Sequence, residues 1–235
     1  MKNKVKIIIL LFIGVFTLVG CTPNVYVNDA EKQRIELIEK LEKTTVALAI
    51  EKMNGSSLGS GTIFKKETID SQNRYYVLTN KHVVEGGITA KVQIGNSIEE
   101  GKIFHKFQTS HSYDDIAIVT FDSKKIYQIQ ELIPYERNTQ VVLKKGQDVL
   151  AIGTPLKITN YNMTTNGIIS LVSEKWIVHT ASIFPGNSGG PLFDSKGTYI
   201  GMNTSRDTNE SDISHAIHVN YIAEKLVELF SSQAN

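Results

Sequence analysis

A single cysteine, Cys21, a single tryptophan and only five prolines stand in a chain of 235 residues. One thiol can close no disulfide within the chain and build no cysteine-based zinc cluster. Neither sign of charge prevails, since 25 Lys and Arg face 24 Asp and Glu for a formal net charge of +1. Without a basic stripe, the footprint that nucleic-acid phosphates require is missing, and no nucleic-acid partner is expected. The longest apolar run, Ile7 to Val19, is 13 residues, short of the ~20 that span a bilayer. What remains is an ordinary globular balance of 41% hydrophobic and 21% charged residues with 17 glycines. That is enough for a sizeable core in one or two domains, and all-β barrels of ~200 to 250 residues commonly count as one.

The apolar run follows Lys2, Lys4 and Lys6 and closes on Leu18-Val19-Gly20-Cys21, the order of a secretory signal. Its end resembles a bacterial lipobox. The resemblance implies a signal peptide over 1–20, a diacylglycerol on the Cys21 sulfur and a tether over 21–29. The protein is then expected on the outer face of a cell membrane, with the lipid as its membrane contact.

From Ala30 to about Lys43 the spacing of Ile35, Leu37, Ile38 and Leu41 predicts an amphipathic helix. Short β-type runs follow, separated by turn residues: 45–51, 60–66, 75–79, 90–94, 101–107, 116–121 and 149–152, then 161–172, 176–181, 191–193, 199–203 and 215–219. About a dozen strands at near-regular spacing indicate an all-β barrel or sandwich, not alternating βαβ units. Val219, Ile222, Ala223, Leu226, Val227 and Phe230 predict a last amphipathic helix.

The stretch Phe184-Pro185-Gly186-Asn187-Ser188-Gly189-Gly190-Pro191-Leu192 surrounds one hydroxyl with turn-forming residues. Such a loop lets backbone N–H groups converge beside a side chain. Acyl transfer needs that arrangement: Ser188 attacks a carbonyl while the amides of Gly186 and Ser188 hold the developing oxyanion. Gly-x-Ser-x-Gly also fits the nucleophile elbow of α/β-hydrolases, in which His215 or His218 would be the essential base. Against that stands the hairpin read around Asp194-Ser195-Lys196-Gly197, where an elbow helix is required. A base is therefore sought upstream, and Tyr76-Val77-Leu78-Thr79-Asn80-Lys81-His82 carries a strand into His82, a residue type that takes and returns protons near neutral pH. The other five histidines are read as surface or packing residues. Asp114-Asp115-Ile116-Ala117-Ile118-Val119 offers two carboxylates at the mouth of a strand to orient the base.

TNKHVV, DDIAIV and GNSGGPL, in that order, resemble the His, Asp and Ser blocks of chymotrypsin-fold serine proteases, most closely the HtrA-like (Deg-type) bacterial branch. Ala151-Ile152-Gly153-Thr154-Pro155 with Asn166-Gly167-Ile168-Ile169-Ser170, and Ile200-Gly201-Met202-Asn203-Thr204, are similar as well. The resemblance spans about 45–230 and implies a protease domain over 30–235. Its fold would be all-β: two six-stranded antiparallel barrels, about 45–135 and 140–218, between an N-terminal helix and a C-terminal helix packed on the second barrel. It assigns the triad acid to Asp115, leaving Asp114 as a solvated turn acid, and implies a trypsin-like serine endopeptidase acting on proteins or peptides. Neither metal nor cofactor is implied. A PDZ-like region is not expected after residue 230, and Ile183-Phe184-Pro185 departs from the family's usual lead-in to the nucleophile. The substrate pocket would be walled by Ser182, Asn203, Thr204, His215 and Ala216. With no acid at Ser182, a demand for Lys or Arg is not expected; small aliphatic side chains are expected, or Glu through Ser182 and His215, as in glutamyl endopeptidases and staphylococcal toxins. A catalytically idle lipoprotein that holds peptides is the alternative function.

Overall fold

The computed structural model describes residues 27–108, 110–132, 142–206 and 213–232. The expected leader, Cys21 and most of the tether lie outside these residues.

Helix α1 (Asp29–Glu42) opens with a capping box: Asn28 Oδ1 accepts the Glu31 amide at 2.9 Å and Glu31 Oε2 accepts the Asn28 amide at 3.0 Å. Two otherwise orphaned N–H groups are thereby satisfied. Six strands follow, β1 (Thr45–Lys52), β2 (Gly55–Ile69), β3 (Gln72–Thr79), β4 (Gly87–Ile94), β5 (Ser97–Lys106) and β6 (Ala117–Ser123), with a one-turn helix α2 (Lys81–Val84) after β3. They close an antiparallel barrel in the order β1-β2-β3-β6-β5-β4. Six more, β7 (Asp148–Gly153), β8 (Met163–Val172), β9 (Trp176–His179), β10 (Pro191–Asp194), β11 (Tyr199–Arg206) and β12 (Ser214–His218), close a second barrel as β7-β8-β9-β12-β11-β10. Helix α3 (Val219–Ser232) completes the described chain.

The unbroken apolar runs of β3 and β6 follow from burial on both faces. Tyr75, Val77, Ala117, Val119 and Phe121 line the first barrel, while the alternate residues Tyr76, Leu78, Ile116 and Ile118 join the core of the second. Period-two alternation thus feeds two cores from one strand.

Helix α3 buries Val219, Ile222 and Leu226 in the second core. It also reaches the first barrel: the Phe230 ring lies 6.4 Å from Phe64 on β2 and 5.7 Å from Tyr76 on β3, with Lys65 Nζ 3.8 Å from its centroid. The expectation of a helix seated on the second barrel is therefore met and extended, because this helix bridges both. No helix among the described residues is long and apolar enough to cross a membrane.

Candidate active site

His82 stands on α2, at the inter-barrel edge of β3, and its geometry is set by one neighbour. Asp115 Oδ1 accepts the His82 main-chain N–H at 2.8 Å, and Oδ2 takes the ring Nδ1–H at 2.6 Å. Asn80 Nδ2 binds the Asp115 carbonyl at 2.9 Å, and Thr204 Oγ1 donates to Oδ2 at 2.9 Å from the second barrel. Burial pushes the Asp115 carboxyl up, but the bonds and charge of His82, with Thr204, outweigh it and hold it below the ordinary value. The imidazole keeps half its surface open, 51% against 16% for Asp115, so its other nitrogen is free to meet a reactant.

Ser188 arrives on the loop between β9 and β10. Its Oγ donates to the Thr204 carbonyl at 3.1 Å, and among the described residues no hydrogen bond joins it to His82. Thr204 consequently binds Asp115 through its side chain and Ser188 through its backbone.

The loop itself is built on glycine. Gly186 has φ +104° and Gly189 φ +86°, and a Cβ there would lie 2.4 Å from the Thr154 carbonyl oxygen and 2.3 Å from that of Ser60. Such conformations and approaches tolerate only glycine. The amides of Asn187, Gly189 and Gly190 donate to the carbonyls of Phe184, Asn203 and Asn187 at 2.9, 2.8 and 2.9 Å. Those of Gly186 and Ser188 stay outside the hydrogen bonds of the described residues. The Pro185 carbonyl accepts the Leu156 amide at 2.7 Å; because a trans peptide opposes its C=O and N–H, this bond turns the Gly186 N–H away from Leu156. Leu156 holds that bond at φ +67°, uncommon for a side-chain-bearing residue.

Two residues passed over in the sequence help build the site. Ser60 on β2, fully buried, donates from Oγ to the Gly186 carbonyl at 2.7 Å, accepts the Thr154 amide at 2.9 Å, and gives its own N–H to the Ser188 carbonyl at 2.8 Å. A serine inside an otherwise inward-facing run was its only sequence signal. The second is Asp114, and here the expectation is corrected: it is no solvated acid but 6% exposed. It accepts the amides of Ser110 and His111 at 2.9 and 3.0 Å and the Tyr221 hydroxyl. Burial raises the Asp114 carboxyl, but these bonds more than offset it and leave it lowered. Nothing local in the sequence pairs it with a tyrosine on α3.

Of the expected pocket residues, Asn203 and Ala216 face each other in the β11–β12 register, and both are fully buried. The Asn203 side chain is committed on both sides, Oδ1 accepting from His179 Nε2 at 3.1 Å and Nδ2 donating to the Pro191 carbonyl at 2.9 Å, so it shapes the site from behind. His215 is partly exposed with its ring edge-on to Trp176 at 5.9 Å. Ser182 is half-buried, its carbonyl bound by Thr165 Oγ1 at 2.8 Å. His179 and His218 are core residues, pushed down to about 4 by burial. Two closed antiparallel barrels exclude the α/β-hydrolase reading that gave His215 or His218 the role of base.

The family model of the trypsin-like peptidase domain matches residues 59–202. The chain is 32% identical over 171 residues to "Serine protease Do-like HtrA" of Bacillus subtilis (strain 168), covering 67% of this chain and 35% of that protein. To "Serine protease Do-like HtrB" of the same organism it is 33% identical over 197 residues, covering 72% and 40%. Among solved structures it is similar to the serine endoprotease from Yersinia pestis, with TM-score 0.65 and 28% identity over 83% of this chain and 65% of that one. The HtrA-type protease AlgW with tripeptide is similar at TM-score 0.65 and 26% identity, covering 81% and 61%. The chain spans little more than a third of the length of these curated relatives.

Proposed function

This chain belongs to the trypsin-like peptidase family, and from that premise we propose that it is a serine endopeptidase working through His82, Asp115 and Ser188. The observation that carries the reading is the two-point grip of Asp115 on His82, at 2.8 and 2.6 Å. That grip fixes the tautomer with Nδ1 protonated, so Nε2 is the base, and it stabilises the imidazolium formed on proton transfer. In the resting arrangement the Ser188 hydroxyl rests on the Thr204 carbonyl. Catalysis begins when it turns from that carbonyl to His82, surrenders its proton and attacks the scissile carbonyl. The amides of Gly186 and Ser188 receive the oxyanion, His82 passes the proton to the leaving amine, and water releases the acyl group by the same steps.

The substrate is a protein or peptide whose side chain enters a pocket walled by Ser182, Thr204 and His215, with the buried Asn203 and Ala216 supporting it from behind. We assign 1–20 to a signal peptide, 21–29 to a tether lipidated at Cys21, and 30–235 to the peptidase domain, held on the outer face of a membrane.

A fluorophosphonate probe tests the reading, since only an activated serine reacts with it quickly. Wild-type protein is expected to take the label and to cleave a denatured protein, whereas Ser188→Ala does neither. Equal labelling of both sinks the assignment. No labelling of either leaves a peptide-holding module in its place.

A further inference from the structure

The backbone that carries Asp115 is held by the carboxylate next to it. Asp114 ends the 3₁₀ turn Ser112–Asp114, and Asp115 then turns the chain into β6 with φ −76° and ψ 60°. Two of the donors to Asp114, the amides of Ser110 and His111, lie in the residues that lead directly into this turn. The third, the Tyr221 hydroxyl, comes from 107 residues away and is the donor that ties this turn to the rest of the fold.

Tyr221 is a fixed point from which to hold it. It lies in the first turn of α3, directly after β12 with His215 and Ala216, and is 7% exposed. Its ring meets Tyr113 edge-on at 5.3 Å, and Lys175 Nζ sits 5.0 Å from its centroid and 4.4 Å from that of Tyr113. The helix behind it is packed on the second barrel through Ile222 and Leu226 and on the first through Phe230. Both Asp115 oxygens are committed to His82 and Thr204, so a shift of about 0.5 Å in its backbone is enough to spoil the constellation. A buried carboxylate bonded by two amides and a phenol resists such a shift, because freeing any one of its oxygens leaves a charge without a partner.

We propose that Tyr221 and Asp114 form a positioning pair that sets Asp115 against His82, making α3 part of the support of the site. This rests on the serine-peptidase reading above. Neither residue touches substrate.

Tyr221→Phe removes one oxygen and leaves the ring packing in place. It is expected to lower kcat on a peptide substrate about 10- to 100-fold with KM changed less than about twofold, and to slow fluorophosphonate labelling in the same ratio. The downfield proton NMR signal of His82 Nδ1–H, identified by its absence in His82→Ala, is expected to shift or broaden. Asp114→Asn should move all three in the same direction. Tyr113→Phe, in the same aromatic cluster but with a hydroxyl that makes no hydrogen bond among the described residues, is expected to change none. Tyr221→Phe with unaltered kcat and NMR signal overturns the proposal. So does an equal loss of kcat and thermal midpoint in Tyr221→Phe and Tyr113→Phe, which signals packing alone. If wild-type protein neither cleaves nor labels, the peptidase reading fails, and the NMR signal decides the pair: perturbed in Tyr221→Phe it stands, unperturbed it falls.

Discussion

Both barrels close six antiparallel strands in one order, yet the first is lined by Val46, Leu48, Ile50, Ile63, Val77, Val92 and Val119 around a few aromatic rings, whereas the second buries His179, Asn203 and His218 beside its apolar residues. The second core also runs on into α1 and α3 through Leu41, Tyr221 and Leu226, while the first is closed on itself. A sealed aliphatic barrel is a rigid mount. A barrel with buried histidines ties stability to protonation. Each barrel also holds the other's chemistry: Ser60 of the first grips the Ser188 loop, and Thr204 of the second, with Tyr221 beyond it, grips the aspartates of the first. The site is thus a property of the junction and of neither barrel alone.

That mutual dependence makes its strongest claim on kinetics. His82→Ala in the first barrel and Ser188→Ala in the second should each lower kcat by ~10⁶, and the double variant no further; Asp115→Asn should cost ~10⁴. Additive losses would show that the two barrels act separately. Removing the rivet is expected to do less. Ser60→Ala strands the Gly186 carbonyl and the Thr154 amide, so kcat should drop about tenfold and stability by about 1 to 3 kcal/mol, read by steady-state kinetics and urea unfolding of the same preparation.

The contrast in buried histidines makes a pH prediction. Burial pushes His179 and His218 down to about 4 from 6.5, so the unfolded chain binds their protons first. Their contribution is complete above pH 6.5 and drains away as pH falls towards 4, by about 2 kcal/mol per histidine at pH 5. His105, on β5 of the first barrel, is also lowered by burial, but it is only partly covered. Urea midpoints at pH 7.5 and 5 should diverge in wild-type protein, draw closer in His179→Gln or His218→Asn, and converge in the double variant. Hydrogen exchange at pH 5 should open the second barrel first, and simultaneous opening would erase the distinction drawn here. The smallest effect is expected at Arg74 and Asp122 on the rim of the first barrel, a forked pair at 2.8 and 3.0 Å that is exposed to solvent. A double-mutant cycle there should return under about 1 kcal/mol, lower still in high salt.

Much of this was legible in the order of residues. The runs Tyr75 to Thr79 and Ile116 to Phe121 are β-branched and aromatic, and they are strands because extended backbone suits such side chains packed on both faces. Strand ends were less legible: β2 starts at Gly55 and not Ser60, since Gly55 to Gly59 pairs with β1 through its backbone, which leaves no hydrophobic trace. His82 was expected at the end of a strand and stands just past it on a one-turn helix, which Asn80 leaves uncapped because its side chain is spent on the Asp115 carbonyl. The misjudged residues, Asp114 and Ser60, share one cause. Their partners lie 107 and 126 positions away, and no local periodicity encodes a contact of that range.

The sequence by itself determined the strand pattern, the glycines without which the Ser188 loop could not turn, and the histidine, aspartates and serine available for chemistry, because these follow from backbone sterics and side-chain type. Only the tertiary structure decided that Asp115 grips His82 at two points, that Ser188 rests on Thr204, and that a tyrosine from the last helix anchors the neighbouring carboxylate. Those outcomes depend on where two closed barrels meet, and a hydrogen bond between distant residues exists only once packing has brought its donor within about 3 Å of its acceptor.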